Sequence, residues 1–542
     1  MLARDVECSD GDQFFNLGIG RDFVHWADKV ADELIKRNPD LTRFTCASGI
    51  TPSGPVHVGN LRDIATIWFV ARALSDRGKN VRLVHSWDDY DRFRKVPKGV
   101  PPSYGEFLGT PISKVPDPEG QFPSYAARFE AAFEQSLLDL GIQVEFRYQA
   151  ALYESGVYSS GIIKAVQARG EIFDIINSYR TQQVSAGERS RYLPIEIYCR
   201  ACNKDTTLIE AIDYGKLTVS YRCSSCNNDE TLDLTNARNV KLPWKIDWPM
   251  RWAHESVTFE PGGKDHATKG GSFWVASEIA KKVYGIVPPT FQPYEFVGLK
   301  GIAGKMSSSS GELLTPKDAL AIYQPEVLLW IFAKYDPMRA FDLVVDKQIF
   351  QVYDSYDKAL EESKKDSSSF EARAISLSSV RGRNVVAVPF RQLASFVDIV
   401  KGNCSALLDL LAHVGAQYTE QDIAERVEKA EAWLKRFAPD ERVDLLTVPN
   451  EAYYATLSGV ERSWIAKLTG YMRSGCHELQ QITTVLYSIP EVEGTATVES
   501  QKRFFRILYR LLFNRDKGPR LATFFSALNP DRYLHLLSFG NG

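Results

Sequence analysis

The sequence predicts a doubly wound parallel α/β core, broken by an insertion and followed by an all-α C-terminal region. Three observations carry this. Residues 44–87 alternate strand, helix and strand; two Cys-x-x-Cys pairs mark the middle of the chain; apolar residues beyond 350 recur at helical spacing.

The first core half, 1–100, holds the clearest pattern. Phe44 to Ser48 is an apolar strand run. From Asn60 to Arg77, residues Leu61, Ile64, Ala65, Trp68, Ala71 and Leu74 share one helix face, and Gly78 stops the helix. Val81 to Trp87 returns to strand, completing a βαβ unit whose strands must be parallel. Pro97, Pro101 and Pro102 then open an expected insertion over 101–238. The second core half is expected at 239–300, a loop and connecting region at 301–350, and the helical region at 351–542. In that last region Ile423, Val427, Ala430, Trp433 and Leu434 stripe the segment Glu420 to Phe437. Phe504, Ile507, Leu508 and Leu511 stripe Ser500 to Asn514.

Composition narrows the partners. The 542 residues are 44% hydrophobic and 25% charged, ordinary for a globular protein of three or four domains. The net charge of -3 excludes a polycation, so any nucleic-acid contact must come from local basic faces. Met1 to Phe15 carries Asp5, Glu7, Asp10 and Asp12 and no apolar signal core, and no run of about 18 apolar residues exists. A cytoplasmic protein with no membrane contact is the expectation. Cys8, Cys46, Cys404 and Cys476 stand alone and are expected to be buried thiols.

Two loops carry chemistry. Gly49 to Asn60 joins the first strand to the first helix, with Thr51 and Ser53 offering capping hydroxyls and His57 and Asn60 three apart on one face. A helix start of this kind suits phosphate, and the imidazole and amide add donors as charge builds in transfer. A plain turn with a capping histidine is the competing reading. The spacing is neither G-x-G-x-x-G nor G-x-x-x-x-G-K-[ST]. Gly298 to Gly311 sets Lys305, Met306, Ser307 and Ser308 among glycines and further serines. Such a loop can bring a cation to a transferring phosphate, whereas a Ser/Gly linker has no need of the Lys-Met pair.

Cys199, Cys202, Cys223 and Cys226 form two knuckles twenty residues apart, within a ribbon at about 195–230. Four thiolates at this spacing suit a closed, structural Zn2+ site; disulfides are the alternative.

Pro52 to Asn60, Pro-Ser-Gly-Pro-Val-His-Val-Gly-Asn, resembles the HIGH signature of class I aminoacyl-tRNA synthetases, with Asn60 in place of the second histidine. Lys305-Met306-Ser307-Ser308-Ser309 resembles their KMSKS loop. The details are similar to the class I, archaeal-type lysyl-tRNA synthetase subgroup. Thr51 to Asp63, Asp88 to Pro97, Trp244 to Trp252, Gly262 to His266 and Gly518 to Leu521 carry that similarity nearly end to end. Ser310 stands where the subgroup often has a further lysine, which leaves Lys305, with Lys300, to supply the loop's charge.

The resemblance implies a Rossmann core that binds ATP with Mg2+ between the two motifs, through Thr51, Ser53, Gly54, His57, Gly59, Asn60, Asp265, Lys305, Met306, Ser307 and Ser308. His57, Asn60 and Lys305 would be catalytic, and Asp265 would meet the ribose. Gly49, Thr51, Trp244, His266 and Tyr294 would line the L-lysine site. A buried ammonium also needs a carboxylate, for which Asp63 and Asp88, with Asp89 and Asp91 near, are the candidates. The zinc ribbon would face the acceptor end of tRNA(Lys). The C-terminal helices, with Arg503, Arg506, Arg510, Arg515, Lys517 and Arg520, would meet the anticodon side of that tRNA, and the enzyme would act as a monomer. Lysyl-tRNA synthetase activity is the function implied. The alternatives are a class I synthetase for glutamate or arginine and a non-catalytic tRNA-binding relative.

Overall fold

The computed structural model describes residues 24–180, 187–300, 313–380, 382–400, 402–412, 417–475, 478–492 and 495–539. Helix α1 (Trp26–Arg37) precedes strand β1 (Arg43–Ile50), helix α2 (Leu61–Asp76) and strand β2 (Asn80–Trp87). β1 and β2 pair in parallel along their whole length, Arg43 opposite Asn80 and Ile50 opposite Trp87. Helix α3 (Tyr125–Asp139) then leads to β3 (Glu145–Tyr148), a third parallel strand on the far side of β2. The expected insertion at 101–238 thus contains a helix and a strand of the core.

The four cysteines lie on a separate small module. β4 (Glu196–Ile197) and β8 (Val240–Lys241) pair at its base, and β5 (Thr207–Asp213), β6 (Thr218–Cys223) and β7 (Asp229–Asp233) form an antiparallel sheet between them. The chain then returns to the core through α4 (Trp244–Glu255), β9 (Phe259–Gly263), α5 (Ser272–Ile279) and β10 (Thr290–Tyr294). The five-stranded sheet has the order β10-β9-β1-β2-β3 and is parallel throughout.

Alternate residues of β1 show why the sheet is covered on both faces. Phe44 and Cys46 join the core that includes α2, while Ala47 packs with Trp248, Trp252 and Phe273 of α4 and α5. The single apolar stripe expected for α2 understates its burial. Ile67, Phe69, Val70 and Ala73 are buried as well, because α2 is sandwiched between the sheet and later helices. Even Arg62 is buried, its guanidinium donating to the carbonyls of Asp336 (2.7 Å) and Pro337 (2.8 Å).

Beyond the sheet, β11 (Val297–Leu299) pairs in parallel with β12 (Phe341–Leu343), with α6 (Pro316–Ile322) and α7 (Pro325–Lys334) between them. The regular elements described from 349 onward are helices, apart from a short ladder pairing Glu491–Val492 with Thr495–Ala496. Two of these helices match the sequence stripes, α8 (Glu420–Arg436) and α9 (Val498–Phe513). Arg426 of α8 is fully buried in the seam with α7. It donates to Gln324 (2.7 Å), to both oxygens of Asp357 (2.7 and 2.6 Å) and to the carbonyl of Val388.

Candidate active site

In a doubly wound sheet, ligands bind beyond the strand C-termini where the order reverses, here between β1 and β9. A cavity of about 100 Å3 opens there. Gly49, Asp63, Asp88, Trp244, His266 and Tyr294, six of the seven residues expected around the amino acid, line it. Thr51 does not: its hydroxyl donates to Asp91 (3.2 Å), whose other oxygen holds the buried Lys241 at the base of the cysteine module.

The geometry of each wall follows from its element. α4 presents Trp244, Trp248 and Trp252 one turn apart, so their rings form a ladder with centroids 4.8 and 5.0 Å apart. Gly262, the penultimate residue of β9, packs against the Phe291 ring, where a Cβ would meet the ring at 2.7 Å. Gly49 takes its place at the end of β1 with its N–H donating to Asp63 (3.3 Å), and Asp63 also accepts from the Tyr294 hydroxyl.

The cavity is acidic. Burial, and after it the nearby Glu260, pushes the Asp63 carboxyl well above the ordinary aspartate range. Burial raises Glu260 to about 7, against the pull of two indole N–H donors. Asp88 is raised by burial too, although Arg251 opposes this. The Arg251 guanidinium is already shared between Asp88 and Asp247, so Asp88 does not offer the open carboxylate that the sequence suggested. Sequence reasoning passed over Glu260, Trp248 and Arg251. The recurrence of tryptophan every fourth residue from 244 to 252 was the signal available for the ladder. Nothing local marks Glu260, a charge inside a buried strand.

The phosphate side differs from expectation in detail. His57 stands at the N-cap position of a short 3-10 turn, Val58–Asn60, that runs into α2; its side chain makes no capping hydrogen bond there, and neither Thr51 nor Ser53 caps the turn. The Val58 N–H donates to the carbonyl of Leu314 (2.7 Å), so it is not among the free donors of a bare helix start. Gly59 packs on the Val297 carbonyl, 3.3 Å from where its Cβ would stand. Gly54 is buried and Ser53 exposed beside this turn, and exposed Asp265 sits on the turn after β9. Lys305, Met306, Ser307 and Ser308 lie outside the described residues. The segments flanking them are fixed, since Lys300 N–H donates to Leu343 (2.9 Å) and Leu314 is joined to Val58. Both ends of the lysine segment are therefore anchored, and its exit lies beside His57.

The four thiols converge: every Sγ lies within 4.8 Å of the others, with Cys199–Cys226 and Cys202–Cys223 each 3.6 Å apart. Tetrahedral zinc with sulfur at about 2.3 Å requires sulfurs roughly 3.8 Å apart, so the donor set fits. Each knuckle ends on an asparagine in the left-handed region, Asn203 (φ 59°) and Asn227 (φ 57°), which folds the chain back and leaves both thiols on one side. Exposed cations of the C-terminal region are partly spent, Arg503 on Glu461 (2.7 Å) and Arg510 on Asp516 (2.6 Å).

A family described as class I (K) tRNA synthetases matches residues 24–381. The chain belongs to that family. The class I (K) match spans the whole five-stranded sheet, the cysteine module and the segments flanking the lysine loop. Similarity to individual relatives reaches further. A lysine–tRNA ligase of Treponema pallidum is 37% identical over 95% of this chain and 98% of its own length. Those of Pyrococcus furiosus and Streptomyces coelicolor are 36% and 35% identical, over 93% and 94% of this chain and 98% of each relative.

Proposed function

We infer that the chain is an aminoacyl-tRNA ligase that activates L-lysine with ATP and transfers it to tRNA(Lys), working in the cytoplasm as a monomer. The observation that carries the choice of lysine is the cavity itself: an aromatic ladder for methylene groups beside a carboxylate, Asp63, which accepts from the Gly49 N–H and the Tyr294 hydroxyl and pairs with no basic side chain among the described residues. A neutral or acidic side chain would leave that carboxylate buried and uncompensated.

The reaction proceeds in two steps. A lysine carboxylate oxygen attacks the α-phosphorus of ATP, which arrives as its magnesium complex; the bond to the β-phosphate oxygen breaks, and pyrophosphate leaves. The 2′-hydroxyl of the terminal tRNA ribose then attacks the activated carbonyl, loses its proton and expels AMP. Catalysis is positioning and charge stabilisation. Asp63 and Tyr294 hold the ammonium end with Gly49 beside Asp63, and Trp244 and His266 stand at the cavity wall. Thr51, held by Asp91, sits at the passage to the nucleotide. His57, Asn60, Gly59 and the Ser53-Gly54 turn meet the phosphates on one side. Lys305, Met306, Ser307 and Ser308 close from the other, and Asp265 takes the ribose. Zn2+ on the four cysteines would keep the module folded at the acceptor end.

Pyrophosphate exchange across the standard amino acids tests the reading. Exchange with lysine alone is expected. Exchange driven by arginine or glutamate would replace the substrate, and tRNA binding with no exchange would make the chain a non-catalytic binder.

A further inference from the structure

Glu260 is out of place by ordinary rules. It lies on β9 in the interior of a parallel sheet covered on both faces, where strands are normally apolar. Its neighbour Phe259 points into the α2 core, and Glu260 faces the cavity on the α4 side. It is about nine-tenths buried, and a carboxylate there costs several kcal/mol unless it is held and balanced.

It is held but not balanced. Trp248 Nε1 donates to one oxygen at 2.9 Å and Trp252 Nε1 to the other at 2.6 Å. The indoles orient the group without neutralising it. Among the described residues the one guanidinium lining the cavity, Arg251, is committed to Asp88 and Asp247. Each Glu260 oxygen keeps one acceptor direction beyond its indole. Asp63 faces the same space.

We propose that Glu260 determines substrate specificity: with Asp63 it forms a two-carboxylate seat for the side-chain ammonium, aimed by the Trp248 and Trp252 N–H groups. This rests on the reading that the cavity receives lysine. An ammonium has three donors and can serve both carboxylates at once. An uncharged side chain of the same length would leave two facing carboxyl groups without a cation between them.

The test is lysine-dependent pyrophosphate exchange by Glu260→Gln, which keeps the side-chain size and one indole acceptor. Loss of a charged hydrogen-bond partner should raise the lysine KM by about 10- to 150-fold. The ATP KM should stay as it was, and preference for lysine over norleucine should fall by a similar factor. Glu260→Asp, which restores the charge, should recover part of the loss. An unchanged lysine KM in Glu260→Gln overturns the seat. Wild-type exchange with a different amino acid would instead overturn the lysine reading, so the two failures are distinguishable. If Glu260→Gln does not fold, judged by circular dichroism, Trp252→Phe serves. It should raise the lysine KM about fivefold through loss of one hydrogen bond, with the ATP KM constant, and no change would again reject the proposal.

Discussion

Arg251 beside the cavity and Arg426 in the α7–α8 seam are both guanidiniums taken out of water, and their surroundings differ. Arg426 is saturated by Gln324, Asp357 and the Val388 carbonyl. With the neighbouring Arg383 it faces three carboxylates, Asp357, Glu326 and Glu425. Arg251 alone stands among four, Asp88, Asp247, Asp63 and Glu260, and its Nε has no hydrogen-bond partner among the described residues. A near-balanced network needs nothing more and serves structure. An acid surplus around a small cavity is a defect in stability that an incoming cation relieves, and it points to a binding site.

Four experiments sharpen or break this contrast. The largest effect lies away from both arginines. Lys305→Ala should slow pyrophosphate exchange by about 10²- to 10³-fold, the scale of losing one charge-stabilising donor, while isothermal titration shows lysine binding little changed. Equal losses in both would move Lys305 into the amino-acid site.

Next come the arginines themselves. Arg251→Met and Arg426→Met should each cost about 3–5 kcal/mol in urea unfolding, because each strands buried carboxylates. Only Arg251→Met should also slow lysine-dependent exchange per folded molecule, by less than Lys305→Ala does. An Arg426→Met protein that folds yet has lost exchange would erase the distinction between seam and site.

The third experiment uses pH. In the empty protein Glu260 titrates at about 7 rather than at the ordinary 4.5, because burial disfavours its charge. The folded state therefore holds a proton that the unfolded state releases, and stability falls as pH rises from about 4.5 through about 7. The change is on the order of 3 kcal/mol for this group. Asp63 and Asp88 are pushed the same way and Asp247, Arg251, Tyr294, His266 and Glu255 share the surroundings, so the slope is read as the difference between wild type and Glu260→Gln. Saturating lysine should flatten it. Identical urea midpoints for the two proteins at pH 5 and pH 8 would contradict this.

The smallest effect concerns the seam. Thr419→Ala removes the capping box in which Thr419 and Asp422 close the first turn of α8, and should cost about 1 kcal/mol with exchange unaltered. Separately, the cysteine module should retain about one zinc per chain by elemental analysis. Stripping that metal should impair transfer to tRNA more than exchange, since the module stands apart from the cavity.

How much of this was legible depends on how local each cause is. β1, α2 and β2 announced themselves because period-2 and period-3.6 patterns are properties of adjacent residues, and the four cysteines because metal geometry fixes ligand spacing. β3 was not legible. Glu145–Tyr148 is a four-residue edge strand with two exposed ends, and it is a strand only because β2 lies beside it. The acid surplus was half legible. Asp63 and Asp88 were visible as candidates, but which of them stays open depends on Arg251, more than 160 positions from Asp88 in the chain. The capping role expected of Thr51 failed for the same reason: its partner, Asp91, is brought in by the next strand.

The hydrogen bond from Val58 to Leu314 has one more consequence. It staples the downstream border of the lysine segment to the turn bearing His57, and the β11–β12 ladder secures the upstream border independently. A protease cut between 300 and 313 would therefore yield two fragments that stay clasped together and migrate as one particle under native conditions. Such a nicked species would keep its amino-acid pocket, so ligand affinity and turnover could be separated in a single protein without altering any side chain.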